Sequence, residues 1–162
     1  MKKHYVIRKA AIKDLSDVLR LNYDLFKKER REFDKSLDMR WTYGKKGREY
    51  FRNRIAKKDS LVEVAEYDGK IVGYLSGGLS KRLNYRKKAK CAELENMMVE
   101  KKHRSRGLGA KLVRDFVDWC GKNKIDCISL TAFAGNKRAI KFYRNMGFKD
   151  YTLALEMGLK KR

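Results

Sequence analysis

The segment Val99-Glu100-Lys101-Lys102-His103-Arg104-Ser105-Arg106-Gly107-Leu108-Gly109-Ala110 sets a basic turn between an apolar run and a stretch of helical spacing. A helix that starts there has unpaired N–H groups and a positive dipole end. Gly107 and Gly109 let an anion come close to that backbone, and Arg104 and Arg106 add charge. Such a turn suits a phosphate or pyrophosphate. It fits neither common nucleotide loop. A Walker A loop needs GxxxxGK[ST], but Gly109 is followed by Ala110-Lys111; a dinucleotide fingerprint needs GxGxxG, but its third place is Leu112. Glycines at a helix start also serve packing alone, so the turn does not fix a ligand by itself.

Upstream, Glu93 and Glu95 are two residues apart in an apolar run. Strand alternation would put both on one face, ~6.6–6.8 Å apart along the backbone. That face would also carry Met97 and Val99, with Ala92, Leu94 and Met98 opposite. Two carboxylates on a partly buried face can raise one pKa toward neutrality, which suits a general base. Ion pairing of both with nearby Lys or Arg is the plainer alternative. His4 and His103 lie in basic surroundings and read as solvated. Cys91, Cys120 and Cys127 read as core residues rather than nucleophiles.

The elements that would hold these groups follow from periodicity. Tyr5–Arg8 reads as a strand, 11–31 as a helix with Leu15, Val18, Leu19, Asn22, Leu25 and Phe26 inward, and 46–58 as a second, basic helix. Leu61–Glu66 and Ile71–Leu75 flank Asp68-Gly69 as a hairpin. After a basic loop at 80–90, Cys91–Val99 is a strand, 107–121 a helix and Cys127–Thr131 a short buried strand. Asn136–Asn145 is a helix stopped by Gly147, and Tyr151–Met157 alternates as a closing strand. The order β-α-α-β-β-β-α-β-α-β gives a mixed α/β layer fold, with 1–162 as one domain.

The chain has 162 residues, 43% of them apolar, enough for a core. Lys and Arg number 42 against 20 Asp and Glu, a net charge of +22. That balance attracts polyanions, or reflects only a lysine-rich surface. It is densest at Lys81-Arg82-Leu83-Asn84-Tyr85-Arg86-Lys87-Lys88-Ala89-Lys90. The chain lacks an 18-residue apolar run and an apolar stretch behind its basic N-terminus, so neither a membrane span nor a signal peptide is expected. Three cysteines without a CxxC pair suggest no disulfide framework, no metal site and a reduced, cytoplasmic setting.

Arg104-Ser105-Arg106-Gly107-Leu108-Gly109 resembles the R/Q-x-x-G-x-G/A motif of the GNAT superfamily of acyl-CoA-dependent N-acetyltransferases. The run Asn136-Lys137-Arg138-Ala139-Ile140-Lys141-Phe142-Tyr143-Arg144-Asn145-Met146-Gly147-Phe148 is similar to that family's N-x-x-A-x-x-x-Y-x-x-x-G-F motif. Glu93–Val99 looks like its central strand, and the element order agrees over the whole chain. The resemblance implies a mostly antiparallel mixed sheet flanked by helices and splayed at its central strands, with acetyl-CoA in the opening. Backbone near Met97, Met98 and Val99 would pair with the pantetheine arm. The turn Arg104, Ser105, Arg106, Gly107, Leu108, Gly109 and Ala110 would hold the pyrophosphate. Asn136 would contact the cofactor or serve only as a helix cap. Tyr143 would lie near the sulfur as a general acid, or be a core tyrosine.

The implied activity is acetyl transfer to a primary amine, on a protein N-terminus, a lysine or a small molecule, by direct attack without an acyl-enzyme. A lysine amine (pKa ~10.4) costs about 4.6 kcal/mol to deprotonate at pH 7; an α-amine (~8) costs about 1.4. Some relatives carry a glutamate base at the place of Glu93, eleven positions before Arg104; Glu95 is the alternative. The acceptor would be read by residues 26–50 and the loop 80–90, with acidic, ribosomal or nucleic-acid-associated acceptors favoured by charge. A monomer and a homodimer are both compatible with the sequence. A nucleic-acid-binding module with weak catalysis is the alternative, with Tyr85, Trp41 and Tyr43 stacking on bases.

Overall fold

The computed structural model describes residues 4–81 and 89–159. The period-2 apolar runs form five strands: β1 (Tyr5–Lys9), β2 (Ser60–Tyr67), β3 (Lys70–Ser80), β4 (Cys91–Val99) and β5 (Cys127–Ser129). They lie in sequence order in one sheet, antiparallel except for the parallel β4–β5 pair. The β2–β3 turn uses Asp68 and Gly69 at φ 52° and 73°, as a tight hairpin demands. Four helices cover the sheet: α1 (Leu15–Glu32), α2 (Lys45–Ala56), α3 (Leu108–Lys122) and α4 (Lys137–Asn145).

Alternation along the strands feeds two cores. Val62, Val64 and Tyr74 meet Val18, Leu19, Leu21, Phe51 and Ile55 of α1 and α2. Leu61, Leu75, Ala92 and Leu94 meet Leu112, Val113, Phe116 and Cys120 of α3. The start of α1 is fixed by the buried Asp14, which accepts two bonds from Arg8 at 2.7 and 3.0 Å and the Ala11 N–H at 2.8 Å.

Four expectations are overturned. First, β4 does not keep one alternation. Its pairing to β3 runs Leu75–Met97, Ser76–Asn96, then Gly77–Leu94, leaving Glu95 as an unmatched bulge residue. The extra residue reverses the faces, so Ala92 and Leu94 share the α3 core with Met97 and Val99, while Met98 packs on the α1–α2 side. Second, the cysteines do form a bridge. Cys91 and Cys127 are register partners on β4 and β5, with Cα atoms 4.8 Å apart, and are joined as a disulfide across 36 residues. Only adjacency of distant strands brings them together. Third, Tyr151–Met157 alternates as expected but forms no strand: it lies exposed and pairs with none of the five strands among the described residues. Fourth, His103 is buried, with Nδ1 2.9 Å from the Tyr5 hydroxyl and its ring 5.1 Å from that of Tyr67, because β1 and β2 cover the turn.

Candidate active site

β4 and β5 stay together for three register pairs, Cys91–Cys127, Ala92–Ile128 and Glu93–Ser129, and then part. From Asn96 to Val99, β4 keeps β3 on one side and has no strand on the other among the described residues. Peptide groups on such an edge need a partner or water.

The basic turn stands at the far end of this edge. Lys101–His103 make one 3-10 turn, and Ser105 and Gly107 follow in left-handed conformations at φ 59° and 78°. The first helical bond of α3 runs from the Lys111 N–H to the Gly107 carbonyl at 2.9 Å. The N–H groups of residues 105–110 therefore have no backbone partner among the described residues. Left-handed residues alternating with others make a concave donor set suited to an anion. A Cβ at Gly107 would meet nothing within 4 Å, so glycine serves the backbone angle there rather than space. At Gly109 a Cβ would lie 3.5 Å from Phe142 and 3.7 Å from Met97, which puts the start of α3 between β4 and α4.

The turn's charges are partly engaged. Arg104 donates from Nε to the Val99 carbonyl at 2.7 Å, with Nη2 3.6 Å from Met98 Sδ. Burial first, and then Arg138, lowers its pKa. Arg106 stands over the Tyr5 ring at 6.0 Å. Arg104 thus braces the end of β4 through a carbonyl on the edge expected to meet a ligand.

At the other end, Glu93 and Glu95 both lie on the α2 side, with different surroundings. Glu95 accepts from the Tyr50 hydroxyl and from Arg54. The Glu93 carboxylate makes no hydrogen bond or ion pair among the described residues, while its backbone lies in the sheet between Gly78 and Ser129. Burial first, and then the Glu95 charge, pushes its carboxyl upward against the pull of Arg54. Burial, joined by Glu95, holds the Tyr50 phenol well above its ordinary range. Gly78, the register partner of Glu93, gives Arg54 room: a Cβ there would come within 2.9 Å of its Nη1.

The motif helix completes the surroundings. Asn136 Oδ1 accepts the Ala139 N–H at 3.2 Å, an N-cap at the start of α4. Tyr143 is half-buried between Phe142 and Phe148, both edge-on, at 5.1 and 5.8 Å. Burial, aided by the Glu29 charge, pushes its phenol up to about 12. Glu29 on α1 is itself raised by burial. Phe33, just past α1, stacks on Phe133 at 5.5 Å and so ties α1 to the loop before α4. Glu29 was missed by motif reading. Its available signal was the inward stripe Asn22, Phe26, Glu29, Phe33, in which a carboxylate interrupts an apolar series.

Trp41 is not a free stacking platform. It packs against Phe26, Tyr50 and Phe51 at 5.6, 5.7 and 6.4 Å. Tyr43 is exposed beside Arg48, whereas Tyr85 and most of the basic loop lie outside the described residues. A cleft of about 610 Å³ lies between α1 and the β2–β3 turn; it is lined on one side by Glu100, Lys102 and His103, but not by Glu93, Glu95, Tyr143 or residues 104–110. Its Arg20 is already held by Glu100 at 2.8 Å and the Ile71 carbonyl at 2.7 Å. No helix among the described residues is long and apolar enough to cross a membrane.

Comparison with known proteins places the chain among acetyltransferases. Residues 22–148 match the family model described as the acetyltransferase (GNAT) family. An uncharacterized N-acetyltransferase of Methanocaldococcus jannaschii is 31% identical over 150 residues, covering 91% of this chain and 62% of that protein. The L-amino acid N-acetyltransferase AaaT of Escherichia coli is 29% identical over 101 residues, 61% of this chain and 60% of that one. The chain thus spans less than two thirds of the length of these two curated relatives. Among solved structures, the aminoglycoside N-acetyltransferase AAC(6')-Iy in complex with CoA superposes with a TM-score of 0.77 at 14% identity, over 99% of this chain and 98% of that one. The tetramutant of the BH1408 protein of Bacillus halodurans gives 0.78 at 21% identity, over 95% and 99%. With the family model matched across most of its length, the chain belongs to the GNAT family of acetyltransferases.

Proposed function

We propose that the protein transfers an acetyl group from acetyl-CoA to a primary amine by direct attack. The observation that carries this reading is the edge of β4 from Asn96 to Val99, which no strand among the described residues covers and which runs between a set of free N–H donors and the half-buried Glu93. The N–H groups of residues 105–110 suit the pyrophosphate, and the β4 edge suits the amides of the pantetheine arm. Glu93, raised by burial and not consumed by an ion pair, accepts a proton from the acceptor's ammonium, and the neutral amine so formed attacks the thioester carbonyl while the CoA thiolate leaves. Glu95, held by Tyr50 and Arg54, positions that face and adds the charge that lifts Glu93.

Tyr143 acts on the leaving sulfur as a hydrogen-bond donor. A thiol titrates near ~8.5, so full transfer from a phenol at about 12 is uphill by ~5 kcal/mol. The phenol stays protonated and stabilises the thiolate, whose proton arrives later from solvent. Among acceptors, an α-amine is favoured, because deprotonating it costs about 3 kcal/mol less than a lysine amine. An acceptor with its own negative charge also suits a protein of net charge +22. The L-amino acid acetyltransferase among the relatives supports an amino-acid-like acceptor, and the aminoglycoside enzyme with the same fold supports small-molecule amines more broadly.

The test is calorimetric titration of acetyl-CoA at moderate salt, with ATP and a short RNA as polyanion controls. Saturable acetyl-CoA binding well above ATP, weakened by Gly107→Glu, is expected. A screen of amino acids, N-terminal peptides, lysine peptides and aminoglycosides then follows. Acetyl-CoA binding no better than ATP, together with tight RNA binding, would sink the enzyme reading and favour a nucleic-acid module.

A further inference from the structure

Helix α1 runs from β3 to the loop before α4. Its Asn22 donates to the Tyr74 hydroxyl at 3.0 Å, beside the Tyr74–Met98 register pair. Phe33, just past its end, stacks on Phe133 at 5.5 Å. Glu29 stands between them on the same stripe, ~10 Å along the axis from Asn22. It therefore faces the stretch of β4 that no strand among the described residues covers, with α4 and Tyr143 beyond. One turn earlier Phe26 stacks on Trp41 at 5.6 Å, and Trp41 meets Tyr50, the partner of Glu95, at 5.7 Å. An aromatic wall thus leads from Glu29 back to the face that carries Glu93.

Glu29 is out of keeping with the other acids of a basic chain. Lys and Arg outnumber Asp and Glu by 42 to 20, and four acids at the sheet each hold an arginine: Asp14 and Glu66 share Arg8, Glu95 takes Arg54, and Glu100 takes Arg20. Glu29 is half-buried, yet its carboxylate makes no hydrogen bond or ion pair among the described residues. The adjacent Lys28 turns to Glu32 at 3.5 Å and to the Phe33 ring at 5.6 Å. The Glu29 charge reaches Tyr143, whose phenol it helps to hold up. In the proposed reaction a thiolate develops beside that phenol, and an unpaired carboxylate nearby opposes it. A cation against Glu29 removes that opposition, and the aromatic faces alongside suit its approach.

We propose that Glu29 holds the side-chain cation of the acceptor, which makes that acceptor a basic α-amino acid. The inference rests on the acetyl-transfer reading and narrows its substrate. The α-amine is the group that reacts. Its ammonium gives one proton to Glu93, its nitrogen bonds the acetyl carbon, and the carbon–sulfur bond breaks to release CoA. A second proton is lost to solvent as the amide forms, and the thiolate takes one up there. The side-chain ammonium or guanidinium keeps its protons against Glu29. Such an acceptor still carries a carboxylate for the positive field of the whole molecule.

The experiment compares lysine with norleucine, which has the same chain without the terminal ammonium. Each is titrated calorimetrically, with CoA present, into the wild-type protein and into Glu29→Gln, and each is assayed as an acceptor with acetyl-CoA. Expected is wild-type binding of lysine about tenfold or more tighter than norleucine, a difference that Glu29→Gln removes. In turnover the variant should lower kcat/KM for lysine by about tenfold or more and not lower it for norleucine, with melting temperature and acetyl-CoA affinity unchanged. A residue that only supports the fold would lower both acceptors alike. No wild-type preference for lysine in binding overturns the proposal, and so does a preference that survives in Glu29→Gln. These binding outcomes hold even where no acceptor is acetylated; that result, with acetyl-CoA bound no better than ATP, counts against the reaction itself.

Discussion

Glu93 and Glu95 stand two residues apart on one strand, in different electrostatic situations. The joint grip of Tyr50 and Arg54 commits Glu95 to structure, whereas Glu93 keeps a free carboxylate whose proton affinity burial and its neighbour raise. A base must be ionised to act, so kcat/KM should fall as pH drops through a value above the ordinary glutamate ~4.3. Glu93→Gln should lower kcat by about 100-fold or more, abolish that acid limb and leave acetyl-CoA affinity unchanged; a pH series of initial rates beside a binding isotherm reads all three. Both carboxylates and the glycine turn are legible in the sequence, because residue type and local spacing carry their chemistry. Glu29 and the burial of His103 are not. Each is defined by an element distant in the chain, α4 for the first and β1 for the second.

At the scale of elements, β2 holds the least comfortable side chain. Glu63 is buried on the α3 side with Oε2 unbonded. Burial pushes its carboxyl up to about 7, with Asp115 adding to the shift and Lys111 opposing it. The folded state thus binds this proton more tightly than the unfolded chain does. The group's stabilisation is complete below its ordinary value of 4.5 and is lost as pH rises toward about 7. Glu63→Gln should flatten that decline and, at pH 8, stabilise the fold by on the order of 2–3 kcal/mol, as urea melts at pH 5 and 8 would show. β5, pinned by three register pairs and one disulfide, should loosen on reduction. Closing a loop of this length is worth roughly 3–4 kcal/mol, so a lower melting temperature in reductant and faster exchange at residues 127–129 are expected. Most elements were readable from periodicity, although β3 runs on to Ser80, five residues past the Ile71–Leu75 read for it, and the closing strand does not form. The β4 bulge was not, since one extra residue leaves no trace in composition; the Gly77-Gly78 pair opposite it was the only hint. The C-terminal alternation was also readable, but a strand needs a partner, and sequence pattern does not supply one.

For the molecule as a whole, a net charge of +22 acts on every charged partner it meets. Acetyl-CoA is an anion drawn to a cation, so its affinity should weaken as salt screens the field. Calorimetry across a salt series should therefore give an affinity that falls as salt rises. The charge was plain from composition, but what it does to each partner depends on which surfaces meet. The bulge at Glu95 has its own consequence at this scale. It divides a single strand into two territories: the stretch below it presents carboxylates to α2, and the stretch above it presents peptide edge to the opening. Substitutions at 93, 95, 50 or 54 alter the first without shifting the second. If the proposed reaction holds, a lineage built on this strand can therefore change its acid–base face without relearning how to hold its acyl donor.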